Sequence, residues 1–164
     1  MFGTLTDVLA RSAARFGDKP ALIVGDRRLS YRELDQMTSR VANALAARGI
    51  GAGDRVTLYS PNCWEWPVAF YAIGKLGAVV NPINVMLTPE EVTFVVQDCG
   101  AKAVIASAEK GEVLLDIQRK TGLSDVILFG SQVPAGARAF ADMLRGGRDA
   151  FAPAVVADTE LALI

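Results

Sequence analysis

Arg55-Val56-Thr57-Leu58-Tyr59, Ala78-Val79-Val80-Asn81, Ala103-Val104-Ile105-Ala106 and Val126-Ile127-Leu128-Phe129 decide how this chain folds. Each run is short, apolar and rich in β-branched residues, without the polar alternation of a half-solvated strand. A strand that is apolar on both sides must be covered on both faces, which is the mark of a parallel sheet. Segments of helical spacing separate the runs. Asn62-Cys63-Trp64-Glu65 reads as the capped start of a helix reaching about Lys75. Thr88-Pro89-Glu90-Glu91 is a capping box with proline in the first turn, and it predicts a helix with Val92, Val95, Val96 and Cys99 on one face. Gly111 to Thr121 reads as a helix with Val113, Leu114 and Ile117 inward. Strands and helices that alternate in this way predict an α/β fold: a doubly wound, mostly parallel sheet with helices on both faces.

Upstream, Leu5 to Phe16 has helical spacing, with Thr4 or Thr6 available as cap and Gly17 to Pro20 as stop. Ala21 to Val24 and Arg27 to Ser30 flank Gly25-Asp26 and read as a β-hairpin. Ser30-Tyr31-Arg32-Glu33 is a second capping box, followed by Leu34, Met37, Val41 and Leu45 on one stripe and by Gly49 as the stop. Downstream, residues 131–157 read as loop and linker, with a short helix over Ala139 to Leu144. Residues 158–164 read as the start of a new strand. The whole of 1–164 is read as one domain, and a chain that stops inside an apolar run is expected to be a fragment.

The composition is that of a globular domain: 164 residues, 51% hydrophobic and 21% charged. Lys and Arg number 17 against 18 Asp and Glu, so no bulk field attracts nucleic acid, and no nucleic-acid partner is expected. There is no histidine, which excludes an imidazole base, a His metal ligand or a Ser–His relay within this chain. Cys63 and Cys99 are far apart and form no metal-binding spacing, so no metal site is expected and both read as buried structural thiols. Two cysteines and an N-terminus without a leader pattern predict a cytoplasmic protein. The apolar stretch from Trp66 to Val80 is broken by Pro67, Gly74, Lys75 and Gly77, so it reads as buried helix and strand rather than a membrane span.

Several motifs suggest chemistry and fail on context. Gly49 to Asp54 is glycine-rich, but it follows a helix and precedes a strand, the reverse of a dinucleotide loop. Gly74-Lys75 lacks the flanks of a phosphate loop, and Gly130-Ser131-Gln132-Val133 lacks the last glycine of a nucleophile elbow. Glu90, Glu91, Glu109 and Glu112 read as acids complementing helix N-termini, and Arg27, Arg28, Arg138, Arg145 and Arg148 as solvated. No catalytic constellation is legible in the residues alone.

Three stretches in order carry a resemblance: Leu29-Ser30-Tyr31-Arg32-Glu33-Leu34, then Gly49 to Val56, then Gly74-Lys75-Leu76-Gly77-Ala78-Val79-Val80-Asn81-Pro82-Ile83-Asn84. Together they resemble the adenylate-forming superfamily of acyl-CoA synthetases, coumarate-CoA-type ligases, luciferases and peptide-synthetase adenylation domains. The Asn-Pro-x-Asn ending is similar to its acyl- or aryl-CoA ligases, of which the long-chain fatty-acid type is the expected parent. The resemblance implies that Ser30, Tyr31, Glu33, Leu34 and Gly77 are structural motif residues. It makes Asn81, Pro82 and Asn84 candidates for lining the acyl or CoA side of the site, with turn architecture as the other reading of the two asparagines. It implies that the parent uses ATP, Mg and CoA with a carboxylic, most simply fatty, acid. The phosphate loop, the later nucleotide motifs and the C-terminal lysine are expected beyond Ile164. This chain is therefore expected to hold no catalytic and no cofactor-binding residue, to be inactive alone, and to need the remainder of the ligase as partner. A homo-oligomer is left open. The competing readings are a stand-alone α/β interaction module docking through Glu160 to Ile164, and, more weakly, a dinucleotide-binding domain.

Overall fold

The structure is a computed structural model and describes residues 5–157 and 159–164. The proposed cap Thr4 and residue Asp158 lie outside the described residues. Helix α1 (Leu5–Phe16) leads into strands β1 (Pro20–Val24) and β2 (Arg27–Ser30), which pair antiparallel around Gly25 at φ 57°. Then follow α2 (Tyr31–Ala46), β3 (Arg55–Tyr59), α3 (Glu65–Lys75), β4 (Val79–Pro82), α4 (Pro89–Asp98) and β5 (Ala101–Ser107). The chain continues with a 3-10 turn, α5 (Gly111–Lys120), β6 (Asp125–Phe129), β7 (Arg138–Ala139) and α6 (Phe140–Gly146). Strands β3 to β7 form one sheet in the order β4-β3-β5-β6-β7, every pair parallel.

The apolar runs are continuous because the sheet is buried on both sides. Val56, Leu58, Ala103, Ile105, Ile127 and Phe129 join one core with Leu9 of α1, Val41 and Leu45 of α2, Val68 and Ile73 of α3, and Phe140 and Met143 of α6. The residues between them, Tyr59, Val104, Ala106, Val126 and Leu128, join a second core with Val92 and Val96 of α4 and Leu114 and Ile117 of α5. The period of two along each strand thus divides one sheet between two cores.

Both capping boxes form. The Ser30 hydroxyl accepts from Glu33 N–H at 3.2 Å, and the Glu33 carboxylate accepts from Ser30 N–H at 2.8 Å. Thr88 and Glu91 repeat the exchange at 3.3 and 2.8 Å. The Tyr31 and Phe16 rings meet at a tilt of 42° with centroids 5.4 Å apart, and Leu34 is buried.

Three details differ from the sequence reading. Helix α3 starts at Glu65 with Trp64 already helical and no side-chain cap, so Asn62 does not cap it. Pro67 sits in its first turn, where a missing N–H costs nothing. On α5 the inward face runs through Gly111, Leu114, Leu115 and Ile117, while Val113 turns outward, because the stripe is centred one position later than expected. Helix α2 runs to Ala46 and is closed by Gly49 as the sequence reading has it: Gly49 lies at φ 77°, its N–H donates to the Ala46 carbonyl at 2.9 Å, and Ile50 N–H donates to the Leu45 carbonyl at 3.2 Å. In the stretch 131–157 the expected short helix forms as α6, and beyond it the stretch supplies β7 and Phe140, one of the largest fully buried side chains.

Residues 147–157 run as a strap back along α2 and past the end of α3, where Ala154 N–H donates to the Lys75 carbonyl at 2.8 Å. Asn43 Nδ2 donates to the carbonyls of Arg148 and Ala150, and Arg40 pairs with Asp149. The strap crosses Gly77, whose φ is 68° and where an added Cβ would lie 2.7 Å from Val156 Cγ1. Both the backbone angle and the close approach require glycine there. The last residues meet β4 in one parallel bridge, Leu163 beside Val80, rather than a full strand.

Candidate functional site

Ligands of open α/β sheets sit outside the carboxyl ends of the strands. Here that edge is built from the segments after β3, β4, β5 and β6. After β3, Ser60 to Trp64 turn into the uncapped start of α3. At the end of β4, Asn81-Pro82-Ile83-Asn84 leads into a loop fixed from two sides. The Tyr59 hydroxyl donates to the Leu87 carbonyl at 3.0 Å, and Lys110, from the 3-10 turn after β5, donates to the Val85 carbonyl at 3.4 Å. The Lys110 ammonium also lies 5.0 Å from the Tyr59 ring centre.

The three sequence candidates separate on inspection. Asn81 is 5% exposed, and its amide donates to Thr57 Oγ1 and to Cys99 Sγ, each at 3.2 Å. It is spent inside the fold, tying β3 and β4 to the end of α4. Asn84 is exposed, and its Oδ1 accepts from Met86 N–H at 2.9 Å, a side-chain turn that shapes the loop. Pro82 is exposed at the strand end. The structure therefore brings Pro82 and Asn84 to the carboxyl edge and withdraws the Asn81 amide from it.

The sequence reading missed an aromatic cleft on this edge. It has a volume of ≈ 390 Å³ between the start of α3, the end of β6 and α6, with Trp64, Phe129, Phe140 and Leu144 among its walls. Phe129 and Phe140 meet edge to face at 4.8 Å. Arg27 of the hairpin, read as merely solvated, lies 3.6 Å from the Trp64 ring centre, a cation–π contact that fixes the indole. Arg138, also read as solvated, donates to Asp125 at 2.6 Å. The available signal was the cluster of aromatic residues at two strand-to-helix junctions, which sequence spacing alone does not bring together.

Neither thiol is fully buried, and neither is in a disulfide. Burial pushes the Cys63 thiol above its ordinary range, which makes it a poor nucleophile at neutral pH. Among the described residues no three His, Cys, Asp or Glu side chains gather to hold a metal ion, and no helix is long and apolar enough to cross a membrane. A second cleft of ≈ 510 Å³ lies at the opposite, amino edge, beside Gly77 and Val156. Arg55, the cation among its described lining residues, is already committed to the carbonyls of Cys99, Gly53 and Gly100 at 2.6, 2.9 and 3.1 Å.

Comparison with known proteins agrees with this architecture. The family described as AMP-binding enzyme matches residues 9–157. A long-chain-fatty-acid–CoA ligase, FadD13, of Mycobacterium tuberculosis is 43% identical over 89 residues, covering 54% of this chain and 18% of that protein. A crotonobetaine/carnitine–CoA ligase of Salmonella paratyphi B is 34% identical over 130 residues, covering 75% of this chain and 25% of its own length. The chain thus spans about a quarter or less of these curated relatives. The crystal structure of the anthranilate CoA ligase AuaEII in complex with anthranoyl-AMP superposes with a TM-score of 0.93 at 26% identity, over 99% of this chain and 32% of that one. The N-terminal domain of FACL13 from Mycobacterium tuberculosis superposes with a TM-score of 0.84 at 30% identity, over 99% of this chain and 41% of that one.

Proposed function

The chain belongs to the AMP-binding enzyme family, and from that premise we propose that it is the N-terminal part of an ATP-dependent acid–thiol ligase acting in the cytoplasm on a carboxylic acid, most simply a fatty acid. The observation that carries the reading is the match of family, fold and order of elements along nearly the whole chain to the first part of acyl-CoA ligases. In the proposed reaction a carboxylate oxygen attacks the α-phosphorus of ATP. The bond to the bridging oxygen breaks, pyrophosphate leaves, and an acyl-adenylate remains. The sulfur of CoA then loses its proton and attacks the acyl carbon, and AMP leaves. Mg²⁺ supplies charge neutralisation on the phosphates when bound. The described residues gather no carboxylate set to hold it.

This chain's own part is positional. A sheet packed on both faces holds the loops after β3, β4, β5 and β6 at one rigid edge, against which the remainder of the ligase would close. In this reading Pro82 and Asn84 flank the acyl or CoA side of the site, while Asn81 acts indirectly by fixing their strand. A stand-alone interaction module is the competing reading. It is favoured by Leu161, Leu163 and Ile164, each about half exposed along the sheet edge.

A chimera separates the two. This chain replaces the corresponding N-terminal part of the Mycobacterium tuberculosis ligase, and fatty-acid- and CoA-dependent AMP release is measured. A folded chimera that releases AMP, together with a 164-residue chain that catalyses no carboxylate-dependent pyrophosphate exchange alone, is the expected outcome. A folded chimera with no activity would overturn the ligase reading.

A further inference from the structure

We propose that Tyr59 and Lys110 are positioning residues: together they clamp the 83–87 loop so that Pro82, Asn84 and Met86 stand as a fixed row toward the acyl or CoA side of the site. The substrate part of this inference rests on the ligase reading. The clamp itself does not.

The loop keeps the period of two of the strand before it. Ile83, Val85 and Leu87 pack against the second core, while Pro82, Asn84 and Met86 are exposed, Met86 to 82%. An exposed row serves a substrate best when its backbone is already held, because ordering it on binding would weaken affinity. Two groups from distant parts of the chain hold it.

Tyr59 closes β3 with its ring in the second core and is 3% exposed. A phenylalanine would fill that place as well. What the hydroxyl adds is directed at the loop: it donates to the Leu87 carbonyl at 3.0 Å, with the Val85 carbonyl 3.4 Å away. Lys110 reaches in from the 3-10 turn after β5. Its ammonium donates to the same Val85 carbonyl at 3.4 Å and lies 5.0 Å from the Tyr59 ring centre, so one cation ties the loop to the ring beneath it. The loop closes the arrangement from its own side. Asn84 Oδ1 accepts from Met86 N–H at 2.9 Å, and the Asn84 carbonyl accepts from Leu87 N–H at 3.2 Å. Residues 85 and 87 are thus held from the core side, and Met86 between them is carried outward. Both Tyr59 and Lys110 act through this loop and not on the substrate.

The test has two arms. In the intact chain, Tyr59→Phe removes the hydroxyl and leaves the ring, and Lys110→Met removes the ammonium and leaves the stem. Each should speed hydrogen exchange of the Ile83, Met86 and Leu87 amides about tenfold while the amides of β5 stay as they were. Unchanged loop exchange in both variants would overturn the clamp, whether or not the chain is part of a ligase. In the chimera with the Mycobacterium tuberculosis ligase, the same variants should raise KM for the acid or for CoA about fivefold with a smaller change in kcat, and Lys110→Arg should restore it. Asp54→Asn, on the opposite amino edge, controls for destabilisation alone and should leave both KM values as they were. Faster loop exchange with both KM values unchanged, or an equal rise in Asp54→Asn, would overturn the positioning role. A parent chimera without activity would overturn the ligase reading, and with it the substrate part of this inference, while the exchange arm still decides the clamp.

Discussion

On the α2–α3 side of the sheet the buried polar cluster is built around a charge, and on the α4 side it is neutral. Lys75, at the end of α3, is 2% exposed, and its ammonium meets Asp35 Oδ1 and Ser39 Oγ, both at 2.7 Å, on α2. On the other face Asn81, Thr57 and Cys99 join two strands to the end of α4 without a formal charge. Both clusters are satisfied, and among the described residues no buried side-chain nitrogen or oxygen lacks a partner. They fail differently when broken. A buried ammonium stripped of its carboxylate keeps its full desolvation cost, whereas a lost amide leaves only a hydroxyl and a thiol to find new partners.

The largest expected effect follows on the charged side. Asp35→Ala leaves Lys75 charged and unpaired and should destabilise the chain by about 3–5 kcal/mol, read from the denaturant midpoint. Replacing the pair together, Lys75→Met with Asp35→Leu, should recover most of that loss, because burying two apolar groups avoids the desolvation penalty. If the double variant is no better than Asp35→Ala, the contrast with the neutral side fails. Asn81→Ala comes next, with a loss of about 1–3 kcal/mol. A loss equal to that of Asp35→Ala would show the two clusters to be equivalent. Each face also carries one capping box, and Ser30→Ala and Thr88→Ala should each cost about 1 kcal/mol. The smallest effect is on acid stability. Burial pushes the Asp54 carboxyl up, but the Lys102 ammonium at 2.9 Å and the Gly51 N–H outweigh it and hold its pKa below the ordinary value. Its contribution is therefore present above the unfolded carboxylate value and is lost as pH falls through the lower folded one. Asp54→Asn should flatten the acid limb of a stability–pH curve, and an unchanged limb would contradict that.

Elements whose signals are local were legible in the sequence. The two capping boxes, the Gly25 turn and the doubly covered strands each depend on neighbours within a few residues. The start of α3 was misplaced because Asn62 has the chemistry of a cap, yet Trp64 enters the helix first. The outward turn of Val113 depends on where α5 rests against the sheet, which spacing leaves undetermined to one position. The candidate site was half legible. The Asn-Pro-x-Asn stretch marked the right edge, but the partners of the Asn81 amide, Thr57 and Cys99, come from elements distant in sequence. The aromatic cleft was illegible for the same reason, since Arg27, Trp64, Phe129 and Phe140 meet only once the hairpin, the sheet and α6 are assembled.

The bridge between Val80 and Leu163 sets an order of events. Its two hydrogen bonds, Val80 N–H to the Ala162 carbonyl at 2.9 Å and Ile164 N–H to the Val80 carbonyl at 3.1 Å, join the middle of the chain to its end. Closing so long a loop for so little pairing is entropically unfavourable until β4 and the strap are already in place. This corner locks last when the chain folds and opens first when it breathes, so the Ile164 amide should exchange its hydrogen well before those of β5.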